Sequence, residues 1–114
     1  MQAAIQRILA LSPAIRYVAI HRDGRLASAS RPVLAAPSST ESDKYEELIV
    51  NPTLLTLLTQ RGEIDCGGLD YVLVRYGSFF TLVVPLADGH VSVGIEPAAD
   101  PLPLVPGIIT AAGR

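Results

Sequence analysis

The sequence predicts an α/β (α+β) domain: one five-stranded antiparallel sheet with helices on both faces, in the order α-β-β-α-β-β-β-α. Three observations carry this expectation. A strong hairpin signal, Asp23-Gly24, joins two strand-like runs near the N-terminus. Three further strand-like runs follow in close order between positions 69 and 96, separated by two short turns. Helical periodicity lies before, between and after these two groups. Residues 1–114 read as a single domain.

In order along the chain, the first helix covers Gln2 to Leu11, with Ile5, Ile8 and Leu9 at helical spacing and Ser12-Pro13 as its stop. Ile15 to His21 is rich in the strand formers Ile15, Tyr17, Val18 and Ile20. Asp23-Gly24 then suits a type I′ turn, whose two central residues need positive φ. Leu26 to Ser30 is the returning strand, and its Ala and Ser content places it at a sheet edge. Arg31 to Ser42, with two prolines and Ser38-Ser39-Thr40, reads as a mobile loop.

A second helical region is expected from Asp43, with Asp43 as cap and Glu46 at the third helical position. Asn51-Pro52 predicts a kink or a fresh start. The helix should run to about Gln60 and close at Arg61-Gly62. At about 100° per residue, Leu54, Leu55, Leu57 and Leu58 span an arc of roughly 160°. One sheet face requires a narrower stripe. A second neighbour is therefore expected, either another helix of this chain or a partner chain.

Glu63 to Gly68 reads as a loop. The meander follows: Leu69 to Tyr76 (LDYVLVRY), Phe79 to Leu86 (FFTLVVPL) and His90 to Glu96 (HVSVGIE), turned at Gly77-Ser78 and Asp88-Gly89. The first two strands are apolar on both faces, as expected when helices cover both sides. In the third, Val91, Val93 and Ile95 share one face. Pro85 lacks an N–H and belongs at a strand end or bulge. Leu104 to Ala112 closes the chain as a short apolar helix with Pro106 in its first turn.

Composition narrows the function. Hydrophobic residues make up 49% and charged residues 18%, the latter below the roughly 25% of ordinary globular domains. With a mean hydropathy of +0.37, apolar surface is left over for an interface. The formal net charge is −2, Lys44 is the single lysine and the arginines are scattered. No basic stripe exists to neutralise phosphates, which argues against nucleic-acid binding. Cys66 is the single cysteine, so an intramolecular disulfide is impossible and a reducing, cytoplasmic compartment fits. The N-terminal run is broken by Gln2, Gln6 and Arg7 and reads as an amphipathic helix, not a signal peptide. No stretch is long enough for membrane insertion.

The segments Tyr17–Ser30 (YVAIHRDGRLASAS), Leu69–Leu86 (LDYVLVRYGSFFTLVVPL) and Gly89–Asp100 (GHVSVGIEPAAD) carry a resemblance. Their order is similar to that of the roadblock/LC7 family, a relative of the longin and profilin-like folds. The break at Pro52 and the proline-rich stretch from Pro97 to Pro106 depart from the family pattern. The resemblance implies a homodimer, or a heterodimer, that pairs the central helix and the following edge strand across a two-fold axis. It implies a scaffold or regulator of a small Ras-like GTPase, or an adaptor in a signalling complex. Mapped onto this chain, the pairing residues are Leu54, Leu55 and Leu58 on the helix and Tyr71, Leu73 and Arg75 on the strand. That placement agrees with the over-wide apolar arc.

Nothing in the sequence names a reaction. His21 and His90 lack metal-ligand spacing and read as polar residues at strand ends. Cys66 sits beside Glu63 and Asp65, which disfavour a thiolate. The phosphate-loop pattern is absent. No catalytic, cofactor or metal residue is expected. The alternative is a sensory ligand-binding module of PAS-like or GAF-like type, which needs an internal pocket with convergent polar groups. Few interior polar candidates are visible in the sequence to supply one.

Overall fold

The computed structural model describes residues 1–32 and 37–114. Its elements are α1 (Gln2–Leu9), β1 (Ile15–Arg22), β2 (Arg25–Ser30), α2 (Thr40–Tyr45), a π-helical turn (Glu46–Val50), α3 (Asn51–Asp65), β3 (Val72–Arg75), β4 (Phe80–Leu86), β5 (Gly89–Ile95) and α4 (Val105–Ala111), the last entered through a 3-10 turn. The five strands form one antiparallel sheet in the order β2-β1-β5-β4-β3. The last strand in sequence is therefore the middle one in space.

The pleat sorts side chains to two faces. Val18 and Ile20 on β1, Leu82 and Val84 on β4, and Val91, Val93 and Ile95 on β5 pack with Ile5 and Ile8 of α1 and Val105 and Ile108 of α4. That layer is apolar throughout. The opposite face of the sheet carries Tyr17, Thr81, His90 and Ser92, and is covered by α2, the π-turn and α3.

The first hairpin turns as expected, with φ of 50° at Asp23 and 76° at Gly24. β2 lies at the sheet edge. Of the expected 31–42 loop, residues 33–36 lie outside the described residues. The second helical region starts earlier than expected. Ser39, not Asp43, is the cap, with Ser42 completing a capping box. At Asn51-Pro52 the helix does not restart, and Val50 and Asn51 both keep right-handed helical dihedrals. Proline cannot donate to the carbonyl one turn back and its ring crowds that carbonyl, and the turn before it widens into the π form while staying right-handed helical.

The expected stop at Arg61-Gly62 is also displaced. Helix α3 runs on to Asp65, and Gly62 is buried inside it. A Cβ on Gly62 would lie 2.9 Å from the backbone of Gly68. Its carbonyl accepts from the amides of Cys66 and Gly68, and the left-handed residue that ends the helix is Gly67, with φ of 78°. Gly62 is thus a close-approach glycine, not a terminator.

Strand β3 is shorter than the predicted 69–76. In its register with β4, Val72 faces Val83, so Pro85 stands opposite position 70 and offers no N–H there. The β3 ladder ends before it, whereas β4 stays paired with β5 as far as Leu86. Arg114 spans the gap, donating to the carbonyls of Asp70 at 2.6 Å and Pro85 at 3.4 Å. Among the described residues no helix is long and apolar enough to cross a membrane.

Candidate functional site

Helix α3 buries only part of its apolar arc. Leu55 is 8% exposed, on the same inward side as Asn51 and Gly62. Leu54 and Leu58 are half-buried flanks. Leu57 and Ile64 are 61% and 76% exposed. Seven residues apart on a helix, they project within about 20° of each other. Upstream, Tyr45, Leu48 and Ile49 are exposed as well.

Strand β3 is the other sheet edge, with no strand on its outer side among the described residues. Tyr71 and Leu73 turn toward the α1/α4 layer and pack against its core. Arg75 is exposed, its guanidinium 4.9 Å over the Phe80 ring. The six residues read from the sequence therefore divide between two layers. Leu54, Leu55 and Leu58 belong to the α3 layer, and Tyr71, Leu73 and Arg75 to the opposite face of the edge strand. Leu57 was within the predicted arc, but Ile64 lay beyond the expected helix end.

The layer under α2 and the π-turn holds a buried polar network. Glu47, fully buried, accepts from Asn51 Nδ2 (2.9 Å) and Tyr17 OH (3.1 Å) and faces His90 Nε2 at 2.9 Å. A carboxylate only accepts, so with Glu47 ionised Nε2 carries the hydrogen. The His21 ring lies 5.5 Å from that of His90, directly across the strand pair. His90 stands at the start of β5, as the sequence suggests, and is also a buried member of a network. Burial, and then the Glu47 charge, push the Tyr17 phenol well above its ordinary range. Burial and Glu47 likewise raise the Glu46 carboxyl, against the hydrogen bond from Tyr76.

A half-open cleft of about 880 Å³ lies between this helical segment and the sheet. Its floor is Thr81, Ser92 and Gly94, and its walls include Tyr17, Glu46 and Glu47 on one side and Tyr76 and Phe79 on the other. Gly94 lets the Arg16 side chain lie close against the floor, since a Cβ there would be 3.2 Å from Arg16 Cγ. Arg16, 4% exposed, reaches Glu96 at 3.5 Å and lies 5.0 Å over the Phe79 ring. Among the described residues, Ser92 Oγ is the buried side-chain polar atom without a hydrogen-bond partner.

The expectation of few interior polar groups is corrected here: Arg16, Glu47, Asn51, Thr81, His90 and Ser92 are all buried. The signal was present in HVSVGIE. Its alternate positions, His90, Ser92 and Gly94, become cleft lining once β5 is central and covered on both faces.

Two substitutions probe the cleft as a source of stored instability. Ser92→Ala is expected to hold or raise stability by about 1 kcal/mol in urea unfolding, because an orphaned buried hydroxyl is costly. Glu46→Gln is expected to stabilise the fold at about pH 7 by less than about 1 kcal/mol, since the carboxylate is half exposed and screened. A carboxyl raised in the folded state is penalised when ionised. The penalty is in force above its folded value and vanishes below its unfolded one, so the gain from Gln should disappear near pH 4.

Comparison with solved structures places the architecture. A roadblock/LC7 domain from Streptomyces avermitilis superposes with a TM-score of 0.75 at 14% identity, over 99% of this chain and 92% of that one. MglC from Myxococcus xanthus gives 0.62 at 10% identity, over 98% of this chain and 92% of that one. The gliding protein MglB from Thermus thermophilus gives 0.62 at 17% identity, over 97% of this chain and 81% of that one. No family model matches the sequence, and no curated protein matches it. Element order and these superpositions agree: the fold of this chain is the roadblock/LC7 fold.

Proposed function

We propose that this chain is a single roadblock-like domain that works without catalysis, as a dimerising cytoplasmic scaffold or regulator of a small Ras-like GTPase or signalling complex. The observation that carries the reading is the exposed apolar face of α3, with Leu57 and Ile64 outermost, on a fold whose edge strand β3 is also open. An open edge and an apolar helix face are both liabilities in a lone monomer. A two-fold contact using α3 and β3 covers both at once. The homodimer is the simplest such contact, and a heterodimer uses the same surface. The GTPase or adaptor role follows from the family resemblance of the sequence.

Size-exclusion chromatography with light scattering tests the first part. A mass twice the 12.1 kDa of the chain is expected at tens of micromolar, where a roughly micromolar dimer is formed. A clean monomer at that concentration overturns the reading. For the second part, the dimer should change nucleotide hydrolysis or exchange by a small GTPase encoded beside it, and no effect on either would leave only the scaffold role.

A further inference from the structure

We propose that the cleft between the π-turn and the sheet binds a small organic cation, an amine or guanidinium carried on an apolar or aromatic body. Its floor lies on β4 and β5, away from Leu57 and Ile64 of α3.

Its volume, about 880 Å³, falls in the range of small-molecule pockets. Its charge balance favours a cation. Asp43, Glu46 and Glu47 line it against two arginines; Glu47 is taken up by Asn51, Tyr17 and His90, and both arginines have protein partners of their own. Arg31 donates to the carbonyls of Ile15, Leu9 and Ser12 at 2.6, 2.7 and 2.8 Å. Arg16 is held by Glu96 and the Phe79 ring. The Glu46 carboxyl has the Tyr76 hydroxyl at 3.4 Å. A bound cation would supply the missing counter-charge.

The remaining walls suit the same ligand. Tyr17 and Tyr76 are among the lining residues, and aromatic rings attract cations through the π-system. The floor offers Ser92 Oγ, 1% exposed and unpartnered. A hydroxyl oxygen there can accept from an N–H donor. An anionic ligand would meet the Asp43 and Glu46 carboxylates in the lining.

Phenethylamine and agmatine are the probes, with 2-phenylethanol and phenylacetate as neutral and anionic counterparts. Titration of the full chain by ¹H–¹⁵N NMR is expected to shift the amides of Thr81, Ser92 and Gly94 with at least one amine. That amine should saturate with a Kd below about 1 mM and bind at least about tenfold tighter than both counterparts. Glu46→Gln and Ser92→Ala should each weaken it about fivefold or more. Neither substitution is expected to weaken the fold, so a purely structural role would leave the titration unmoved. Should Glu46→Gln not fold, Ser92→Ala and the amine–alcohol comparison on the unaltered chain still decide. The proposal is overturned if phenylacetate or the alcohol binds as tightly as the amine. It is equally overturned if neither amine moves those amides at about 10 mM, or if folded variants bind unchanged.

Discussion

Leu57→Glu is expected to convert the proposed dimer into a folded monomer. Leu57 is 61% exposed, so the charge costs the monomer almost nothing. In a two-fold interface the same substitution enters twice, and each carboxylate is taken out of water against apolar neighbours. An effect of about 3 kcal/mol, roughly 100-fold in the dimer constant, is the expectation for light scattering across a dilution series. Ile64→Glu, at 76% exposure, should act in the same direction. Leu58→Glu strikes the same helix, but Leu58 is half-buried, so it should weaken both the dimer and the fold. If Leu57→Glu leaves the dimer intact with unchanged affinity, the interface lies elsewhere.

Glu47→Ala is expected to cost about 3–5 kcal/mol in urea or thermal unfolding. The side chain is fully buried and serves Asn51, Tyr17 and His90 together. Removing it strands three polar groups in a layer where water cannot replace every bond. Glu47→Gln should cost less, about 1–2 kcal/mol, because an amide oxygen can still accept from Asn51 and His90. A loss below about 1 kcal/mol for Glu47→Ala would mean that the network opens to solvent and does not tie the helix to the sheet.

The fold was legible where local chemistry decides it. Asp23-Gly24 specified a turn that few other dipeptides could make, and the alternation in Val91, Val93 and Ile95 marked the core face. The second helix was less legible because its signals compete. Asp43 and Ser39 both precede helix formers, and only the capping bonds of Ser39 with Ser42 decide between them. Gly62 reads as a stop unless the returning chain at Gly68 is known to pass against it. The length of β3 depended on which residue would stand opposite Pro85.

The cleft was hidden for a different reason. No local signal separates Glu47 from its neighbour Glu46, or marks Ser92, which alternates with Val91 and Val93, as interior. Their burial depends on β5 occupying the centre of the sheet, a fact of long-range pairing that no window of residues contains. The apolar surplus of α3, by contrast, was visible from the spacing of four leucines alone.

The central place of β5 also governs how the chain can assemble. β1–β2 and β3–β4 are two separate ribbons, and each touches the rest of the sheet only through β5. A nascent chain that has emerged only as far as Leu86 holds two hairpins with nothing between them, and such ribbons are marginal in water. The chain must therefore have been made as far as Ile95 before the sheet can close, with contacts that join Ile15 to Ile95 and Arg22 to Gly89. Slow, all-or-none assembly is the consequence of such distant pairings. The apolar face of α3 emerges well before the sheet that covers part of it, which makes early shielding by a chaperone or a partner most valuable in that interval.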